Sequence, residues 1–166
     1  DVPDVLLVIA GEGPAVPHVR ELAARLGLAD HVLFTGYLER SGALLDCYRA
    51  GDAFVFASRT ETQGLVLLEA LALGVPVVST AVMGTADAAG AVIAPDDEAG
   101  FATAAARVLG NAELRARLGR AGPSDAARWS AHALAERLAA LYADVARSHR
   151  PVLSPGRVPA AGAVPE

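Results

Sequence analysis

The chain has 166 residues, enough for one domain with its own core, and about half of them are hydrophobic with few aromatics, which excludes an intrinsically disordered polymer. Its net charge of −5 and scattered positive side chains exclude a nucleic-acid surface, which needs a basic stripe. The single cysteine, Cys47, excludes an internal disulfide and builds no metal constellation.

Taken in chain order, short apolar runs alternate with helical patterns. "VLLVIAG" (5–11) reads as a buried strand ending in glycine. "AVPHVRELAARLGL" follows as a helix, with Val19, Leu22, Ala23 and Leu26 at helical spacing and Gly27 as its stop. "HVLFTGY" (31–37) is a second strand, "GALLDCYRAG" (42–51) a short helix holding Cys47 as a small buried side chain, and "DAFVFAS" (52–58) a third strand. A helix then runs to about Leu73, stopped by Gly74, before strands at 75–80 and 90–95. After Pro95 come helical segments near 97–109, 111–120 and 130–148, with the pair Asp96–Asp97 reading as a turn and helix cap. Trp129 and Tyr142 read as packing anchors, and His18, His31, His132 and His149 as structural or exposed residues without metal-ligand spacing. One domain is expected over 1–148, with the Pro/Gly/Ala-rich stretch 149–166 a disordered tail.

Strands that are apolar throughout belong to sheets covered on both faces, and strand–helix alternation implies right-handed crossovers. The expected fold is α/β, a parallel Rossmann-like sheet with helices on both faces. Ligands of such sheets bind at the carboxyl ends of the strands. Here that rim collects the polar joins "GEGP", "TGYLE", "SRTETQG", "TAVMGT" and "PDDE".

"SRTETQGLVLLEALALGVPVV" (58–78) carries the most chemistry. Glu61 falls in the join and Glu69 in the second turn of the following helix, eight positions apart. Between them Gly64, Leu65 and Val66 put backbone amides at the positive end of the helix, an environment suited to phosphate. Gly64 lets a ligand approach the backbone without a Cβ in the way. The two carboxylates can flank one ligand and accept hydrogen bonds from paired hydroxyls. Spacing alone also fits a plainer reading, with Glu61 a helix-N-terminal acid and Glu69 a solvated surface residue. Against it, Glu69 stands among Leu67, Leu68, Ala70 and Leu71.

That stretch resembles the E-x7-E motif of the retaining family-4 glycosyltransferases of GT-B fold. "LLVIAGEGP", "HVLFTGYL", "LLDCYRAGDAFVFAS" and "AVIAPDD" resemble the carboxyl-terminal, donor-binding domain of that family, in order and over about residues 4–148. The resemblance implies a nucleotide diphosphate sugar as donor, with UDP as the nucleotide. Glu69 would hold the ribose hydroxyls and Glu61, the catalytic assignment, the hydroxyls of the transferred sugar. Gly64, Leu65 and Val66 would offer amides to the donor, while Tyr37 and Leu38 would meet the base largely through backbone. It implies no cofactor and no metal, with the leaving phosphate guiding front-face attack. "SRTETQGLVLLEA" is especially similar to the branch that makes glycolipids such as glucosyl-diacylglycerol, so the acceptor expected is a diacylglycerol-type lipid or a glycan.

Members of the family carry a strand ending in Gly-Arg and a Lys-bearing helix ahead of "LLVIAGEGP", where this chain has Asp1 to Asp4. The chain is therefore read as part of a longer parent whose amino-terminal GT-B domain supplies the acceptor side. Alone it is expected to be inactive, to bind donor weakly and to be less stable than a chain extended by that strand and helix. The expected location is cytoplasmic, peripheral at the inner face of the membrane through the parent, with no run of the ~20 apolar residues that crosses a bilayer. Two rival readings are a non-catalytic nucleotide-binding or interaction module of the same fold, and a dinucleotide-binding domain. "GEGP" lacks the G-x-G-x-x-G spacing that the second requires.

Overall fold

The computed structural model describes residues 2–58, 64–80 and 88–148. By contacts the chain falls into two compact units, Asp1–Ser130 and Ala131–Glu166. The tail reading for 149–166, the "TAVMGT" join beyond Thr80, and His149 lie outside the described residues.

The first unit is α/β with parallel sheets. In order come β1 (Leu7–Ala10), α1 (Val16–Arg25), a 3-10 turn at Ala29–His31, β2 (Val32–Gly36), α2 (Ala43–Ala50), β3 (Phe54–Phe56), α3 (Leu65–Ala72), β4 (Val77–Ser79), β5 (Ala91–Ile93), α4 (Glu98–Leu109) and α5 (Ala112–Ala127). The strands fall inside the apolar runs named above and are shorter than them. The 3-10 turn was not foreseen.

Among the described residues the strands form two sheets rather than one. β1 pairs with β2, from Leu7 opposite Val32 to Ile9 opposite Phe34, with a slip that puts Ala10 opposite Gly36. β3, β4 and β5 form the other sheet in that order, with Phe54 opposite Val77 and Val77 opposite Ala91. Among the described residues β1 and β3 are therefore each paired along one edge only.

The β3–β4–β5 sheet is covered on both faces, as its unbroken apolar runs predict. Successive residues of β4 point to opposite sides. Val77 joins a core with Tyr48, Leu67, Ala70, Leu71 and Val75, whereas Val78 joins one with Ala94, Val108, Leu114 and Leu118. The reading of β1 as a fully buried strand does not hold: Leu7 and Val8 are 41% and 40% exposed. An apolar run is buried only where another element covers it, and among the described residues β2 is the only strand beside β1.

Helix ends follow local rules. The Asp97 carboxylate accepts from the Gly100 amide at 2.8 Å and starts α4, as the cap reading anticipates. The Asn111 side chain does the same for Leu114 at the start of α5. α5 outruns its expected end near 120 and continues through Pro123 to Ala127. Tertiary contact explains the extension. Gly119 and Gly122 present bare backbone to the Gly74 turn and to Leu71, so close that a Cβ on Gly122 would stand 2.7 Å from the Leu71 carbonyl oxygen. Beyond the proline, the buried Asp125 carboxylate accepts from the Gly90 amide at 2.9 Å and ties the extension to the start of β5.

The second unit is described by α6 (Ala131–Ser148), whose Leu134, Leu138, Leu141 and Val145 are exposed. Tyr142 is 65% exposed, against its reading as a packing anchor, whereas Trp129, in the first unit, is 40% exposed. Cys47 is partly buried, and His18, His31 and His132 are exposed.

Candidate functional site

α3 is capped at its start by Gly64, which is buried and takes φ +62°, a left-handed conformation open to glycine at little cost. The Gly64 carbonyl accepts from the amides of Leu67 and Leu68, which closes the first turn. The amides of Leu65 and Val66 have no carbonyl one turn earlier in the helix, so they form its positive end. Inward burial of Leu67, Ala70 and Leu71 fixes the rotation of α3 about its axis. Glu69 is thereby turned away from the interior, with its side chain 26% exposed.

Two residues hold the Glu69 carboxylate, and sequence reading named neither of them. The guanidinium of Arg40 donates to Oε1, and the hydroxyl of Tyr48 donates to Oε2 at 3.1 Å. Arg40 lies in the join between β2 and α2 that also carries Tyr37 and Leu38, so this join and the second turn of α3 meet at one carboxylate. Tyr37 is 68% exposed and Leu38 partly buried. Tyr48 is 8% exposed, and burial foremost, then the negative charge of Glu69 and the hydrogen bond to it, push its phenol well above the ordinary range. It therefore stays a donor throughout the neutral range. A signal for Tyr48 was present in its position on α2: the last turn of a helix with an otherwise apolar inner face calls for a partner to a buried hydroxyl.

Glu69 also borders an open groove of about 470 Å³ between α3 and the end of α5. Its other walls are mostly apolar, with Leu65, Leu68, Ala126 and Trp129 prominent. Glu61, the expected partner of Glu69 in the motif, lies outside the described residues. No group of three or more His, Cys, Asp or Glu side chains that could hold a metal ion occurs among the described residues. No described helix is long and apolar enough to cross a membrane.

Residues 1–111 match the family model described as glycosyl transferases group 1. The chain is 41% identical over 134 residues to D-inositol 3-phosphate glycosyltransferase 2 of Catenulispora acidiphila, covering 76% of this chain and 31% of that protein. It is 47% identical over 75 residues to alpha-monoglucosyldiacylglycerol synthase of Streptococcus pneumoniae, covering 45% of this chain and 17% of that protein. Among solved structures it is similar to sucrose-phosphate synthase of Thermosynechococcus elongatus, with a TM-score of 0.73 and 26% identity, covering 89% of this chain and 40% of that one. The pneumococcal O-GlcNAc transferase GtfA, solved with UDP and GlcNAc bound, shares the fold with a TM-score of 0.68 at 20% identity, covering 86% of this chain and 30% of that one. The chain thus spans less than half the length of each of these proteins. It belongs to the glycosyl transferases group 1, the family-4 glycosyltransferases, and carries the fold of their carboxyl-terminal GT-B domain.

Proposed function

We propose that this chain is the donor-binding part of a retaining hexosyltransferase that moves a sugar from UDP to an acceptor of the diacylglycerol-lipid or glycan class. The observation that carries the reading is the Glu69 carboxylate, held between the join after β2 and the second turn of α3, just past the positive end of that helix. A carboxylate there can accept from two vicinal hydroxyls while the amides of Gly64, Leu65 and Val66 face the diphosphate. In this reading Glu69 holds the ribose diol, and Tyr37 and Leu38 border the base. Glu61 takes hydroxyls of the transferred sugar, and the leaving diphosphate draws the acceptor hydroxyl in on the same face. Metal-free operation, a cytoplasmic site of action and an amino-terminal domain carrying the acceptor side belong to the same proposal. The UDP bound to GtfA supports the nucleotide, and the similarity to a diacylglycerol glycolipid synthase supports a lipid acceptor.

Calorimetric titration of the chain with UDP tests the reading. Glu69→Ala removes a charge-assisted pair of hydrogen bonds and is expected to cost about 1.5–3 kcal/mol, roughly ten- to a hundredfold in affinity. Unchanged affinity would remove Glu69 from the donor site.

A further inference from the structure

The carboxylate assigned to the ribose does not stand alone, and its inner partner comes from the core. Tyr48 projects from the last turn of α2, with its ring edge-on to Phe54 at a centroid distance of 5.3 Å and 62° between planes. The ring is locked by the packing around Leu67, Leu71 and Val77. Its hydroxyl, the polar tip of that buried side chain, donates to Glu69 Oε2. The other oxygen, Oε1, is covered by Arg40, whose side chain is 70% exposed. One carboxylate thus has a rigid internal anchor and an exposed, exchangeable cation.

An unanchored glutamate on a helix has three rotatable side-chain bonds, and freezing them on binding weakens the complex. An anchor that has already frozen them removes that cost before the ligand arrives. We propose that Tyr48 is the positioning residue of Glu69: it pins Oε2 to the core and so presents Oε1 toward the join after β2, where the hydroxyls of a nucleoside diphosphate replace the Arg40 guanidinium. This role rests on the donor-site reading given above. Tyr48 itself, buried beneath the carboxylate, touches no ligand. The residual lone pairs allow it: each carboxylate oxygen accepts two hydrogen bonds, so Tyr48 keeps its own while a diol takes two others.

The test compares two ligands on the full 166-residue chain, UDP and 2′,3′-dideoxyuridine diphosphate, which lacks the diol. Tyr48→Phe keeps the ring and removes only the hydroxyl. It is expected to melt close to the parent chain, to bind UDP about five- to tenfold more weakly, and to bind the dideoxy nucleotide as the parent does. Combined with Glu69→Gln, it is expected to add no loss beyond that of Glu69→Gln alone. If Tyr48→Phe binds UDP normally while Glu69→Gln is weakened, the positioning role is overturned and the donor site stands. Equal losses on both nucleotides would mark a general structural defect and overturn the role as well. If Glu69→Gln binds UDP normally, or the unsubstituted 166-residue chain binds no UDP, the donor-site reading falls and the positioning role falls with it.

Discussion

At the residue scale the informative pair is Tyr48 and Glu69. The phenol is raised above its ordinary value of about 10 by burial first, and then by the adjacent carboxylate. The folded state therefore keeps the proton at pH values where the unfolded chain has released it. Its contribution to stability is complete below about pH 10 and is lost as pH rises from there through the raised folded value. Urea midpoints measured at pH 9 and pH 11 should fall more for the parent chain than for Tyr48→Phe, which has no proton to lose at that position. Equal falls would show that Tyr48 does not couple to folding in that range. Arg40 contributes differently. Its partner is partly exposed and its own side chain mostly so, which places the ion pair in the class worth about 0–1 kcal/mol. The significance of Arg40 is its location, since it shows that the Tyr37 join reaches Glu69.

At the scale of elements, α3 and α5 carry the site's support. α3 packs against β3, β4 and α5 through Leu67, Ala70 and Leu71, which have no exposed surface, while Leu65 is 57% exposed on the groove side. α5 lies against it through glycine backbone rather than side chains. A Cβ added at Gly122 meets the Leu71 carbonyl oxygen at 2.7 Å and the Leu71 Cα at 3.3 Å, and backbone cannot swing aside as a side chain tip can. Alanine would gain up to about 1 kcal/mol of helix propensity over glycine. Overpacking against backbone costs about 1–3 kcal/mol. Gly122→Ala is expected to be destabilising on balance, with a lower urea midpoint and, because Leu71 and Glu69 share α3, weaker UDP binding. A midpoint equal to or above that of the parent would show that α5 moves away from α3 freely. The helix continues past Pro123 because it is tied down on the far side. Proline removes the amide that would have bonded the Gly119 carbonyl, and the buried Asp125–Gly90 hydrogen bond holds the turn beyond it in place.

At the scale of the whole molecule, the first unit is uneven. β4 is enclosed on both faces and paired on both edges, with Val77, Val78 and Ser79 fully buried. Among the described residues β1 is paired on one edge and exposes Leu7 and Val8, and the stretch leading into it exposes Val5 and Leu6. Local opening costs least where few apolar contacts are broken. Amide hydrogen exchange should therefore be slowest in β4, approaching the global unfolding limit, and faster by orders of magnitude in β1 and β2. Uniform protection across both sheets would show that they open together. An exposed apolar edge is also an association hazard.

The sequence by itself determined the class of fold, the family and the order of the main elements. Those follow from local chemistry: apolar runs of strand length, glycines at helix stops, an aspartate cap at 97 and the chain-order match of several segments to one family. It also pointed to Glu69, because a charged residue stands there among Leu67, Leu68, Ala70 and Leu71. Which partner it has could not be read from spacing, since Arg40 and Tyr48 lie 29 and 21 residues away and reach it only once α2 and α3 are docked. The extension of α5 past Pro123 was hidden for the same reason, because backbone-to-backbone contact between Gly122 and Leu71 leaves no pattern in hydrophobic periodicity. The exposure of β1 reversed a sequence expectation outright. Hydropathy records what a strand can bury, and only the presence or absence of a covering neighbour decides whether it does.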